Sequence, residues 1–99
     1  MMLVIDQEAI AEIARRHHVE RLALFGSATT DSFDPEHSDA DFLVEFSTTS
    51  PSPFDDYFAL KEALEEALGR PVDLVPPTSL ENPYFAETVA RSAIELYAA

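Results

Sequence analysis

The sequence has no cysteine, only two glycines and only six Lys and Arg residues among its 99 residues. The absence of cysteine excludes disulfides, thiolate zinc sites and cysteine nucleophiles. Seven prolines against two glycines favour stiff connections over flexible linkers. Because 46% of the residues are apolar and 10% are aromatic, disorder is disfavoured, and the length predicts one domain over residues 1–99.

Positive charge and long apolar runs are also scarce. Six Lys and Arg residues against 19 Asp and Glu residues give a formal net charge of -13. This charge disfavours nucleic acid and anionic membranes as partners and favours a basic partner protein. The chain has no basic, apolar leader at its start and no stretch of about 18 apolar residues, so we expect a soluble cytoplasmic protein.

Apolar periodicity and breaker residues predict an α/β fold with the order helix, strand, strand, helix, strand, helix. A small mixed β-sheet covered by helices, with an α-β-β-α-β-α order, is the expected architecture. The predicted elements are a helix capped by Asp6 and ending near His17, strands Val19–Phe25 and Asp41–Phe46, a helix from the cap Ser52 to Gly69, a strand Arg70–Val75, and a helix from Asn82–Pro83 through Ile94 and Tyr97.

The second predicted helix carries aromatic side chains near its start and leucines near its end. The predicted apolar stripe occupies positions i, i+3, i+4, i+7, i+10 and i+14, which are Phe54, Tyr57, Phe58, the aliphatic stem of Lys61, Leu64 and Leu68. Spacings of three and four place side chains on one face of a helix. We therefore expect this face to be buried against the sheet.

Three aspartates are the candidate metal ligands. Asp39 and Asp41 are two residues apart at the start of a predicted strand, so their carboxylates should project from the same side. Asp73 lies alone between two apolar residues of a strand that should neighbour the one bearing Asp41. The three carboxylates are expected to converge on one sheet face. Mg²⁺ is held by oxygen ligands of this kind and would remove their mutual repulsion.

Gly26 and Ser27 end the first predicted strand and supply the other half of the pattern. A turn at a glycine lets backbone N–H groups approach an anion, and a hydroxyl can bond a phosphate oxygen. Together with the aspartates, this turn predicts a two-metal site for phosphoryl transfer.

In this order, the motifs resemble those of minimal nucleotidyltransferase domains of the DNA polymerase beta superfamily, best known as antitoxins paired with HEPN-domain toxins. The resemblance extends along nearly the whole chain. A lone Asp-x-Asp is weak evidence, but a Gly-Ser turn, an Asp-x-Asp and a later strand Asp in this order are specific. The segments that carry the resemblance are Leu24–Ser27, Ser38–Val44, Pro71–Val75 and Asn82–Phe85.

The resemblance implies a role for each site residue. Gly26 and Ser27 would hold the phosphates of ATP. Asp39 and Asp41 would bind two Mg²⁺ ions, and Asp73 would complete one metal site and help to deprotonate the acceptor hydroxyl. The implied reaction transfers AMP from ATP to a tyrosine of a HEPN RNase toxin and releases pyrophosphate. The toxin would be neutralised within a hetero-complex.

The turn departs from the pattern of the family, where an Arg usually follows as Gly-Ser-x-Ala-Arg-Gly. Here the sequence continues through Ala28, Thr29 and Thr30 to Asp31, so a phosphate-binding cation is missing. An alternative interpretation is therefore a catalytically weakened relative that neutralises a toxin by binding alone. A third is modification of a small molecule or an RNA end, for which 99 residues leave little room.

Each motif also has a structural interpretation without chemistry. Asp39 and Asp41 could cap a solvated turn, and Asp73 could be a charge that protects a sheet edge from aggregation. Gly26 and Ser27 could simply end a strand.

Overall fold

A computed structural model of the protein describes residues 3, 5–30, 33–34, 36 and 39–99. None of the helices in these ranges is both long and apolar enough to cross a membrane. In chain order the elements are α1 (Gln7–Arg16), β1 (Val19–Phe25), a first 3₁₀ turn (Gly26–Thr29), β2 (Ala40–Phe46), α2 (Pro53–Leu68), β3 (Val72–Val75), a second 3₁₀ turn (Pro77–Glu81), α3 (Pro83–Ser92) and β4 (Ile94–Ala98).

The predicted α/β fold and its element order are confirmed, and a fourth strand follows the last helix. The prediction that this helix continues through Ile94 and Tyr97 was wrong, because α3 ends at Ser92. The residues after Ala93 alternate in polarity and pair with β1 antiparallel. Pairing along the open edge of β1 outweighs the local helical periodicity there. The third strand is also shorter than predicted, since β3 begins only at Val72.

The four strands form one mixed sheet in the order β3-β2-β1-β4. β1 is antiparallel to both β2 and β4, whereas β2 and β3 are parallel. A parallel pair needs a long crossover, and α2 provides it. The register places Asp41 opposite Asp73 on one side and opposite Phe25 on the other. The strand bearing Asp73 therefore neighbours the strand bearing Asp41, as the sequence predicts.

The two faces of the sheet are covered differently. Ala40, Phe42 and Val44 of β2 are buried in the core, together with Ile10 of α1 and Leu64 of α2. The intervening residues of β2 point to the opposite face, which is covered in part by α3 and the second 3₁₀ turn. The candidate carboxylates thus lie on the face away from the main core.

The predicted buried face of α2 was partly wrong. Phe54 and Phe58 are 72% and 53% exposed, whereas Leu60 and Leu64 are fully buried. Apolar residues occupy more than one face of this helix, and periodicity alone does not identify the face that meets the sheet. Tyr57 lies between the two faces and donates a weak hydrogen bond to the carbonyl of Leu74 at 3.5 Å.

The predicted helix caps are confirmed. The side chain of Asp6 accepts a hydrogen bond from the N–H of Ala9 at 3.2 Å, and that of Ser52 accepts one from the N–H of Asp55 at 3.4 Å. Gly69 ends α2 with a φ of 66°, a conformation that glycine adopts without a steric cost. These local signals fix where α1 and α2 begin and where the α2 crossover turns into β3.

Replacing Leu60 should lower the stability of the protein far more than replacing Phe58. We expect Leu60→Ala to lower the free energy of unfolding by about 2–5 kcal/mol, because it opens a cavity in the core. The matched variant Phe58→Ala removes a largely exposed ring and should cost less than about 1 kcal/mol. Urea unfolding followed by circular dichroism measures both values. Equal losses would contradict the assignment of the buried face.

Candidate active site

Asp41 and Asp73 form the centre of the candidate site. They are paired residues on the parallel strands β2 and β3, and Asp73 is exposed between the buried side chains of Val72 and Leu74. Asp39 directly precedes β2 and is also exposed. The register places Asp41 and Asp73 on the same side of the sheet, and both Asp73 and Asp39 act electrostatically on the Asp41 carboxyl. That Asp39 shares this side stays a prediction.

The pKa of Asp41 lies above its ordinary value. Burial is the largest cause, followed by the negative charges of Asp73 and Asp39 and a side-chain hydrogen bond with Asp73. A hydrogen bond between two carboxyl groups requires a proton on one of them. The Asp41 carboxyl therefore takes up a proton more readily than an isolated aspartate does, because its ionised form is partly buried beside two other negative charges.

The chemistry of these donors fits a hard divalent cation. Mg²⁺ is commonly bound through one or two carboxylates, with waters and substrate phosphates completing its coordination. Asp41 and Asp73 supply such a pair. Within the described ranges, however, no group of three or more His, Cys, Asp or Glu side chains is placed to hold a metal ion. The ligand role of Asp39 therefore stays a prediction, and Ser38, which begins its motif, lies outside the described residues.

Gly26 lies against the carboxyl group of Asp41. Its φ is 76°, and a Cβ atom at this position would lie 3.1 Å from Oδ2 of Asp41. Gly69 has a similar φ of 66° but no atom within 4 Å of the corresponding position. The two glycines of the chain thus serve different purposes. Gly69 ends a helix, whereas Gly26 also lets the backbone approach a carboxylate.

The Gly26–Ser27 turn is held by hydrogen bonds that the sequence did not reveal. The N–H of Gly26 donates to Oγ of Ser92 at 2.9 Å. The hydroxyl of Thr29 donates to the Gly26 carbonyl at 3.0 Å, and that of Thr30 donates to the Ser27 carbonyl at 2.9 Å. The threonine protons are thus already engaged and do not replace a phosphate-binding cation. Ser92 is 66 residues away from Gly26, and no local signal identifies it.

A cleft of about 350 Å³ lies on the same sheet face as Asp41. Leu43, two residues after Asp41 on β2, forms part of its floor, and Val89 of α3 forms part of its roof. At its charged end, Arg21 and Glu95 form an ion pair at 3.0 Å. The cleft has mostly apolar walls and can receive a flat, partly polar ring system.

Removing the Asp41 charge should stabilise the fold at neutral pH. Because the folded state raises the pKa of Asp41, its ionised form costs stability, and this cost appears as the pH rises through the raised pKa. Below the pKa of the unfolded chain, the carboxyl is protonated in both states and contributes nothing. We expect Asp41→Asn to raise Tm by a few degrees at pH 7.5 and to have little effect near pH 3.

Calorimetry at both pH values checks this expectation. The matched variant Glu20→Gln removes an exposed charge from β1, away from the cluster, and should leave Tm nearly unchanged at either pH. A lower Tm of Asp41→Asn at pH 7.5 would show that the carboxylate cluster does not strain the fold.

Several known proteins are similar to this chain in sequence or fold. A model of the nucleotidyltransferase domain family matches residues 7–96. The candidate protein adenylyltransferase MJ1379 of Methanocaldococcus jannaschii is 37% identical over 93 residues, which cover 86% of this chain and 92% of that protein. The structure of a candidate minimal nucleotidyltransferase is 38% identical and has a TM-score of 0.71, with 89% of this chain and 86% of that chain covered.

A more distant likeness shows the fold alone. A chain from the structure of tri-AMPylated Shewanella oneidensis HEPN toxin in complex with MNT antitoxin is 23% identical with a TM-score of 0.62. The match covers 94% of this chain and 70% of that chain. The family model and the two more similar relatives each cover most of the chain. This chain belongs to the nucleotidyltransferase domain family.

Proposed function

We propose that this protein is a Mg²⁺-dependent antitoxin that transfers AMP from ATP to a tyrosine hydroxyl of a HEPN-domain toxin and so neutralises it. The observation that carries the proposal is the pairing of Asp41 with Asp73 beside Gly26, in a chain of the nucleotidyltransferase family. The similarity to a protein adenylyltransferase supports the choice of reaction. The fold shared with a complex that contains an AMPylated HEPN toxin supports the choice of partner.

The three aspartates have distinct tasks in this proposal. Mg²⁺ bound at Asp39, Asp41 and Asp73 supplies positive charge to the phosphate oxygens. Asp41 is half-buried, so its carboxyl group has a fixed position from which it would hold the metal ion. Asp73 is exposed and can accept the proton of the attacking hydroxyl from a protein substrate. The tyrosine oxygen then forms a bond to the α-phosphorus, the bond to the leaving pyrophosphate breaks, and the proton moves to Asp73.

The nucleotide is bound by the Gly26–Ser27 turn and by the adjacent cleft. The N–H of Gly26 already donates to Ser92, so the hydroxyl of Ser27 is the donor for a phosphate oxygen. The cleft on the same sheet face, which Leu43 and Val89 line, is large enough for a nucleoside, and its apolar walls can contact a base. Residues 1–99 act as a single domain in this scheme.

A second candidate function is neutralisation by binding alone. The observation that favours it is the state of the turn, where Thr29 and Thr30 donate to carbonyl groups and no arginine follows Ser27. Losing a charge-assisted contact to phosphate weakens binding by about 1.5–3 kcal/mol. The net charge of -13 would still attract a basic toxin.

Labelled ATP separates the two functions. We expect the protein with Mg²⁺ and a purified cognate HEPN-domain toxin to transfer label to the toxin, and expect excess chelator to stop the transfer. Asp39→Asn/Asp41→Asn should lower the transfer rate by at least about a hundredfold, because it removes two carboxylates that would hold Mg²⁺ against the phosphate oxygens.

The matched control is Glu8→Gln/Glu20→Gln, which removes two exposed carboxylates away from the site and should transfer label at the normal rate. Inhibition of the toxin RNase is measured in the same samples. Full neutralisation by the double aspartate variant, with no label on the toxin for any variant, would refute adenylyl transfer and support neutralisation by binding.

A further inference from the structure

One hydroxyl group connects α3 to the Gly26–Ser27 turn. Oγ of Ser92 accepts the hydrogen bond from the N–H of Gly26 at 2.9 Å and donates its own proton to the carbonyl of Thr88 at 2.7 Å. Both of its partners are backbone groups, one in the turn and one in α3. A hydroxyl with two such bonds is fixed in direction and can in turn fix the group that it accepts from.

A second contact joins the same two elements. The ring of Phe85, in the first turn of α3, meets the ring of Phe25 edge to face with 5.3 Å between their centroids. Phe25 is the last residue of β1, directly before Gly26. Thus both ends of α3 contact the region of the turn. The start of the helix does so through the Phe85–Phe25 ring contact, and its last residue does so through the Ser92 hydroxyl.

We propose that Ser92 is a positioning residue that holds the Gly26–Ser27 turn against Asp41 for nucleotide binding. Gly26 has no side chain, and glycine reaches many backbone conformations at similar energy, so an external bond must select one. The bond to Ser92 selects the conformation with a φ of 76°, in which Gly26 packs against Oδ2 of Asp41. The consequence for ATP rests on the proposed function.

The chain offers a matched control on the same helix. The hydroxyl of Thr88 donates to the carbonyl of Tyr84 at 3.2 Å, which is the same kind of helical bond that Ser92 makes to Thr88. Thr88 is exposed, and its hydroxyl donates within α3 rather than accepting from the turn. Alanine favours helices, so Ser92→Ala and Thr88→Ala should both fold. Ser92→Thr keeps the hydroxyl and should restore the bond.

Amide exchange of Gly26 tests the bond directly. Because the chain has only two glycines, protein labelled with ¹⁵N-glycine gives one signal for each. Gly69, whose N–H donates to the Glu65 carbonyl at 2.8 Å, is the internal reference. We expect Ser92→Ala to speed exchange at Gly26 about tenfold while Gly69 is unaffected. Thr88→Ala and Ser92→Thr should match the wild type.

The same samples are then titrated with Mg²⁺ and ATP, and transfer to the HEPN toxin is measured. Ser92→Ala should weaken ATP binding and raise KM for ATP about tenfold, with a smaller change in kcat. Unchanged exchange at Gly26, or faster exchange with unchanged ATP affinity, would overturn the role of Ser92. If the wild type bound no ATP, the proposed function would fail, whereas the exchange rates would still decide whether Ser92 holds the turn.

A different observation points to a protein-binding surface. Phe54 and Phe58, one turn apart on α2, are largely exposed, and their rings contact each other at 4.9 Å between centroids. Beside them lies an apolar cleft of about 500 Å³ lined by residues that include Phe46 and Pro76. We call Phe54 and Phe58 the α2 aromatic pair. Exposed aromatic clusters of this kind are common at protein interfaces.

The surroundings of the α2 aromatic pair are acidic. Asp55, Glu62 and Glu66 are exposed on the same helix, and Glu45 lines the cleft. Lys61 is the single cation within α2. A second copy of the chain would bring another charge of -13 to this surface, so self-association is disfavoured. The complementary ligand is a segment with both apolar and basic side chains.

We infer that the α2 aromatic pair and its acidic surroundings bind a basic segment of the toxin that presents apolar side chains. The identity of the partner rests on the proposed function. The surface is separate from Asp41 and Asp73, so it can hold the toxin while a tyrosine elsewhere on that protein reaches the site. Aromatic side chains at such an interface carry a large share of the binding energy.

Affinity for the purified HEPN toxin tests this surface. We expect Phe54→Ser/Phe58→Ser to raise both Kd and KM for the toxin at least about tenfold, with kcat nearly unchanged at saturating toxin. Tyr84→Ser is the control, since Tyr84 is 83% exposed on α3 and should leave Kd unchanged. Equal Kd values for the wild type and the double variant would refute this binding surface but not the proposed partner. Failure of the wild type to bind the toxin would refute the proposed partner as well.

Discussion

The repulsion between two carboxylates on adjacent strands is the constraint on which the site depends. Asp41 and Asp73 occupy paired positions because β2 and β3 are parallel and α2 makes the crossover between them. The strands cannot pair in this register without bringing the two charges together. Burial of Asp41, which is the largest cause, and the negative charges of Asp73 and Asp39 together raise the pKa of its carboxyl group. Such strain at a functional position is typical of proteins that bind a ligand there.

The neighbouring backbone is adapted to the same pair. A side chain at position 26 would crowd the Asp41 carboxyl, and Gly26 avoids this contact. Threonine hydroxyls close the 3₁₀ turn that begins at Gly26. These hydroxyls and the bond from Gly26 to Ser92 hold the turn in shape without a ligand. On the proposed function, a preformed turn would lower the entropy lost on nucleotide binding.

Much of this arrangement could be predicted from the sequence, because its signals are local. The spacing of Asp39 and Asp41, the cap at Ser52 and the helix end at Gly69 each depend on neighbouring residues. The place of Asp73 in a strand follows from the apolar residues on either side of it. Three features could not be predicted. The buried face of α2 depends on where the sheet lies, β4 depends on the open edge of β1, and the bond from Gly26 to Ser92 joins residues far apart in the chain.

Only Ala93 separates Ser92 from β4, so the outer strand and the Gly26–Ser27 turn are mechanically linked. The pairing of β4 with β1 fixes the end of α3, and the end of α3 fixes the hydroxyl that holds Gly26. Edge strands fray more readily than central ones. Thermal fraying of this sheet edge would therefore release the turn before the core melts, and affinity for nucleotide would fall at temperatures at which the protein is still folded.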